Sequence, residues 1–174
     1  MPGIASGPPV ALNGTRELVA ILRRAGVEFR LLRHRWTPTA VDEASALGLV
    51  PQTVAKTVVV RSAKRRIRAV VPASKQVDLE KLARVAGAAT VSLLSEPELE
   101  AAYGAFEPGA VPPFGGPSND RVVIDSALMD HDYVALDAGT HELSLRLHPE
   151  ELIELTDATV ADIGAGGSGG AVAA

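Results

Sequence analysis

Along Thr53–Arg68 (TVAKTVVVRSAKRRIR) the chain reads with the two-residue period of a strand. Val54, Lys56, Val58 and Val60 fall on one face, and Thr53, Ala55, Thr57, Val59 and Arg61 on the other. The valine face is the one expected to pack, and Lys56 shares it. A turn at Ser62–Arg65 and a return strand Arg66–Val71 complete an antiparallel hairpin.

Upstream, Leu18, Ile21, Leu22 and Ala25 recur at helical spacing. They predict an amphipathic helix over Thr15–Ala25, with Gly26 as its left-handed cap. Val27–His34 reads as a strand and Trp36-Thr-Pro-Thr39 as a turn, with Thr39 capping a helix Ala40–Leu47 that Gly48 stops. Downstream, Asp78 caps a helix Leu79–Ala86 ended by Gly87, and Thr90–Leu94 is a short strand. Ser95-Glu-Pro-Glu98 is a capping box opening a helix that runs to Gly104.

After a fourteen-residue Gly/Pro-rich loop, Phe106–Asn119, come strands Arg121–Asp125, Asp132–Asp137 and Thr140–Leu147. Ala138-Gly139 is expected to join the last two as a tight hairpin, and Pro149–Leu155 closes the chain as a helix. Five helical pieces and about seven strands, with hairpins dominating, predict a single α+β domain with a mixed, mainly antiparallel sheet. Residues 1–12 and the Gly/Ala-rich tail 164–174 are expected to lack order, leaving 13–163 as the domain.

Composition narrows the function classes. The 174 residues are 47% hydrophobic, enough for one sizeable core. There is no cysteine, so no disulfide and no thiolate nucleophile. No run of 18 apolar residues and no leader-like segment over Met1–Asn13 occurs, so a cytoplasmic protein without a membrane partner is expected. Aromatic residues, at 3%, are too few for a general single-strand binder. Charge is polarised: residues 1–84 hold 15 of the 17 Lys/Arg but 6 of the 21 Asp/Glu. That asymmetry hints at a polyanion surface or at two halves that neutralise each other. A pI of about 5.6 speaks against strong non-specific binding to nucleic acid, and no DNA partner is expected.

Three features carry candidate chemistry. An ammonium group is costly to desolvate, so Lys56 on an apolar face either snorkels to water or has a task. His141 heads a face shared with Leu143, Leu145 and Leu147; alone it reads more readily as a structural histidine. Ionisable groups at the mouths of apolar faces are nonetheless where pKa values become useful. The loop Gly109–Gly116 combines glycines, which admit a ligand to the backbone, with prolines that fix its shape, and its N–H groups can receive an oxyanion. No G-x-S-x-G elbow occurs, and the four histidines lack metal-ligand spacing, so neither metal nor organic cofactor is expected.

The ordered set Val54-Ala-Lys56-Thr-Val58, Gly109-x-x-x-Pro113-Phe-Gly115 and Gly139-Thr-His141 resembles the YbaK/ProX family of aminoacyl-tRNA deacylases. Trp36-Thr-Pro-Thr39, Glu43-Ala44 and Ser118-Asn119-Asp120 add to the match, which spans nearly the whole chain. The resemblance implies a trans-editing hydrolase that removes a wrong small amino acid from a tRNA, commonly tRNA-Pro. Aminoacyl-tRNA is then the partner, with prolyl-tRNA synthetase a candidate second. It implies catalytic roles for Lys56, Gly109 and Pro113, and substrate contacts from Thr39, Phe114, Gly115, Asn119 and His141. An extra proline, Pro112, departs from the family's loop and bears on the substrate. The basic cluster Arg61, Lys64, Arg65, Arg66 and Arg68 is either a solvated hairpin tip or an acceptor-stem contact. A non-catalytic tRNA- or protein-binding module of the same fold, and a small-molecule esterase, are the rival readings.

Overall fold

A computed structural model describes residues 10–117 and 119–166. Helix α1 (Val10–Ala25) buries Leu18 and Leu22 completely and is followed by Gly26 in the left-handed region, at φ 71°. Strand β1 (Phe29–Arg33) leads to α2 (Ala40–Leu47), where Thr39 accepts from the Asp42 N–H and Gly48 closes the helix at φ 67°. The hairpin of β2 (Val54–Arg61) and β3 (Arg66–Pro72) forms as its alternation predicts, with Lys56 opposite Val71. Next come β4 (Lys75–Val77), α3 (Leu79–Ala86, capped by Asp78), β5 (Ser92–Leu93) and α4 (Glu96–Tyr103) behind the expected capping box. The chain ends with β6 (Arg121–Asp125), β7 (Val134–Thr140), β8 (Leu143–Leu147), α5 (Pro149–Thr156), β9 (Thr159–Ala161) and β10 (Gly164–Gly166).

Seven strands run in the order β1-β8-β7-β2-β3-β6-β9, and β5 adds an eighth by pairing with β2. The contacts β2–β7, β3–β6 and β6–β9 are parallel, and the others in this sheet are antiparallel. The α+β class and the mixed, mainly antiparallel sheet hold. Strand β2 lies in the middle, so both its faces pack. Ala55 and Val59 join α1, α5 and the 106–114 loop in the main core. Val60 packs with Leu82 of α3, and Val54 with Ala44 of α2. Lys56 therefore faces the α2 side of a doubly covered sheet.

Three expectations are corrected. The β7–β8 turn is not at Ala138-Gly139: β7 runs on to Thr140, and the chain reverses at His141-Glu142. Gly139 sits at a register shift between Asp137 and Thr140 with φ 90°, and a Cβ there would meet Phe106 Cδ1 at 2.7 Å. That glycine serves a bulge and a close ring contact rather than a turn. The predicted disorder of 164–174 fails at its start, because Gly164–Gly166 pair with β4. The fully buried carboxylate of Asp125 accepts from the Ile163 and Gly164 N–H groups at 3.0 and 2.7 Å and ties this segment down. At the other end α1 begins at Val10, inside the stretch expected to lack order. The remaining terminal residues, 1–9 and 167–174, lie outside the described chain.

Candidate active site

The pairing of four strands sets a row of polar side chains across one sheet face. Ser144 on β8 is opposite Leu32 of β1 on one side and Asp137 of β7 on the other. Val54 and Ala55 of β2 lie beside Ala135 and Leu136 of β7, which brings Lys56 and Asp137 to the next step along the same two strands. By the two-residue period both share the face of Val54 and Ala135, under α2. Lys56 is half-buried and makes no hydrogen bond or ion pair among the described residues. Burial lowers its pKa from the ordinary lysine value. Asp137 is likewise without a partner among the described residues, and its pKa is raised well above the carboxylate range, first by burial and then by Glu43 and Glu107.

Glu43 of α2 closes over this row. It is 1% exposed; one oxygen is hydrogen-bonded to Ser144 Oγ, and the other, Oε2, has no partner. Ser144 Oγ lies 2.8 Å from His34 Nε2, and His34 Nδ1 donates to the Arg35 carbonyl at 2.7 Å. Ionised Glu43 accepts from Ser144. With a neutral His34 ring, Nε2 accepts instead, Ser144 donates to it, and Glu43 must carry the proton. Burial raises Glu43 to about 7, against the opposing pull of the Ser144 bond and the His141 charge, so both protonation states are populated near neutrality.

The glycine loop enters from the end of β7. Glu107 N–H donates to the Gly139 carbonyl at 2.8 Å, and Glu107 Oε2 accepts from His141 N–H at 2.7 Å. His141 Nε2 donates to the Pro108 carbonyl at 2.7 Å, and the Trp36 ring lies against the imidazole at 5.4 Å. His141 is thus a turn residue pinned to the loop, not the head of an apolar strand face. Gly109, at φ 83°, lets the loop pass beside it: a Cβ there would sit 3.4 Å from His141 Cε1. Gly109 and Val111 also wall a small cavity of about 80 Å³, lined by Thr57, Val58, Val59, Leu93, Leu94 and Leu99.

Arg68 fixes the other end of the loop. Its guanidinium donates to the carbonyls of Pro112 (2.8 Å), Gly115 (2.7 Å) and Pro117 (3.0 Å), while Nε donates to Asp120 Oδ2 at 2.8 Å. At 2% exposure it cannot meet an RNA phosphate, so the expected tRNA contact at Arg68 is corrected to a loop anchor. Arg66 also binds Asp120, at 3.0 Å, and Arg61 is paired with Glu98. Lys64 and Arg65 remain exposed at the tip, beside a cavity of about 370 Å³. Phe114 is 5% exposed and packs in the main core, and it also lines the cavity beside its loop neighbours. Pro113 and Gly115 border a separate cavity of about 460 Å³. Thr39 is occupied as the α2 cap, with its hydroxyl donating to Asp42 at 2.6 Å, and Asn119 is exposed.

The profile of the family described as the aminoacyl-tRNA editing domain matches residues 34–155, which contain the strand row, the loop and His141. The chain belongs to that family. The YbaK/ProX resemblance agrees with it. A protein of Enterococcus faecalis, EbsC, named as a candidate Cys-tRNA(Pro)/Cys-tRNA(Cys) deacylase, is 28% identical over 126 residues, covering 72% of this chain and 76% of its own. Among solved structures, a candidate trans-editing enzyme for prolyl tRNA synthetase superposes with a TM-score of 0.80 at 28% identity, covering 92% of this chain and 100% of that one. The hypothetical protein APE2540 does so at 0.80 and 28%, over 86% and 99%. Among the described residues of this editing domain, no helix is long and apolar enough to cross a membrane.

Glu43, Asp137, Ser144, His34 and Glu107 were not singled out from the sequence as site residues. A signal existed for two of them. Glu43 shares the apolar stripe Ala40, Ala44, Leu47, and Asp137 interrupts the apolar run Val134-Ala-Leu. Each breaks the local pattern in the way Lys56 does.

Proposed function

We propose that this editing domain is a trans-acting hydrolase that cleaves the ester between a wrongly attached small amino acid and the terminal adenosine of a tRNA, with tRNA-Pro its principal substrate. The observation that carries this is Lys56, an unpaired, half-buried cation within the matched editing domain. Its ammonium group binds the phosphate or ribose of the terminal nucleotide as a point charge. Backbone N–H groups of the Gly109–Gly115 loop, held in one shape by Arg68 and the prolines, receive the carbonyl oxygen as it becomes an oxyanion. Water adds to the carbonyl carbon, the ester C–O bond breaks, and the ribose oxygen leaves with a proton drawn from that water through the substrate's own hydroxyl. An aminoacyl ester is already activated, so positioning and oxyanion stabilisation suffice. The cavity of about 80 Å³ beside Gly109 suits a small side chain, and His141 stands against Gly109.

Lys64 and Arg65 are the tRNA contacts of the basic tip, reading phosphates of the acceptor stem. A cytoplasmic enzyme working alongside prolyl-tRNA synthetase fits this role. The test is hydrolysis of tRNA-Pro charged with Pro, Ala, Cys or Ser by wild type and Lys56→Ala. Removal of one wrong amino acid, sparing Pro and lost in the variant, is expected. If no charged tRNA is deacylated above the buffer rate, the protein is instead a binding module of this fold.

A further inference from the structure

Opposite charges sit at adjacent positions on β2 and β7 without forming an ion pair. Lys56 and Asp137 share a face and a level in the sheet, yet each is without a partner among the described residues. A lysine and an aspartate on neighbouring strands ordinarily meet across the ladder. Here they diverge, so each is left to a third party that carries both charges. Two further carboxyl groups act on Asp137: Glu43 from α2, with its buried Oε2 unsatisfied, and Glu107 from the loop. The nearby histidines are engaged, His34 with Ser144 and the Arg35 carbonyl and His141 with the Pro108 carbonyl. A buried acceptor with nothing to accept is costly and marks a place where a donor arrives.

An aminoacyl ester brings a donor of the right kind. Its α-ammonium lies two bonds from the carbonyl carbon that the Gly109 loop would hold, and its nucleotide end carries phosphate. From this geometry we infer that Asp137 is the residue that receives the α-ammonium group of the substrate, with Glu43 behind it as a second negative charge. Lys56 takes the nucleotide end, so the unmatched pair reads the two charged ends of one molecule. Burial and mutual repulsion push Asp137 and Glu43 toward their protonated forms while the site is empty, and an entering cation lets Asp137 ionise. The site thereby selects free aminoacyl esters over N-blocked ones, such as peptidyl or formylated esters, which carry no charge at that nitrogen. Asp137 is a specificity-determining residue in this account, and the inference rests on the deacylase reading above.

The test uses the full chain and two stable amide analogues of the tRNA end, the 5′-phosphates of 3′-deoxy-3′-(alanylamino)adenosine and of its des-amino counterpart carrying a propanoyl group. By calorimetry, wild type is expected to bind the alanyl compound at least about tenfold more tightly, the size of one buried charge-assisted contact. Asp137→Asn should bind both alike, and Lys56→Met should weaken both while keeping the preference. Asp137→Ser replaces the Asn variant if circular dichroism shows the latter unfolded. Equal binding of the two analogues by wild type, including no binding of either, overturns the inference, as does a preference that survives loss of Asp137. Hydrolysis of charged tRNA, measured in parallel, separates the two levels. Deacylation without amine preference sinks only this assignment, whereas no deacylation of any charged tRNA sinks the proposed function and this with it.

Discussion

Two buried charge clusters in this domain are built on opposite plans. Around Asp120 every charge is matched: Arg66 and Arg68 both donate to it, Tyr103 donates its hydroxyl, and both guanidinium groups lie over the Tyr103 ring. Burial alone would raise Asp120, but the Tyr103 and Arg68 hydrogen bonds outweigh it and hold the pKa below the ordinary value. Around Asp137 no charge meets an opposite one among the described residues. Lys56, Asp137 and Glu43 keep free atoms at comparable depth, and their pKa values move toward the neutral forms. Matched charges hold a loop in place, whereas unmatched ones leave polar atoms free, which is what the proposed ligand contacts require. The contrast separates the two clusters more clearly than burial or charge alone.

The comparison breaks most visibly at the matched end. Asp120→Ala strands Arg68 in the interior, and chemical denaturation should show a loss of about 3–5 kcal/mol. An effect below about 1 kcal/mol would mean that the cluster does not hold the loop. The next largest effect is a pH dependence. Glu43 titrates near 4.5 when unfolded and about 7 when folded. A raised folded pKa makes its contribution fully present below pH 4.5 and lost as pH rises to about 7. Over that window its share of stability should fall by about 3 kcal/mol, with Asp137 pulling the same way. Glu43→Gln should flatten that slope, and urea titrations at pH 4.5 and 7.5 decide it.

At the unmatched end activity moves and stability does not. Lys56→Ala should lower deacylation kcat/KM by about a hundredfold, while Lys56→Met keeps or raises Tm because it removes a desolvated charge. A Tm that drops as far as in Asp120→Ala would erase the distinction between the clusters. The smallest effect belongs to the exposed tip. Lys64→Ala with Arg65→Ala should raise KM for charged tRNA a few-fold, more at low than at high salt. A KM unchanged at both salts would return the tip to a solvated turn.

The difference between the clusters was only half legible in the sequence. The β2–β3 hairpin, the caps at Thr39, Asp78 and Ser95, and the stops at Gly48 and Gly87 are local devices, and each stands where its residues place it. Lys56 could be read because it breaks an alternating face within its own strand. Arg68 could not be told from Arg65, since the difference is Asp120, 52 residues away and brought alongside by a parallel strand pair. Gly139 read as a turn because sequence shows a glycine, not the Phe106 ring against it. Phe114 lies within a motif the resemblance calls functional, and nothing in that motif shows its burial in the core.

The position of Arg68 has a consequence for genetics. One side chain ties three loop carbonyls to the sheet, so its loss would loosen the loop and the interior together. A screen that scores only survival or editing would group Arg68 with Lys56. Cells carrying the first defect would be depleted of protein, and those carrying the second would be full of inert protein. Cooling or a chaperone could rescue the former and would do nothing for the latter.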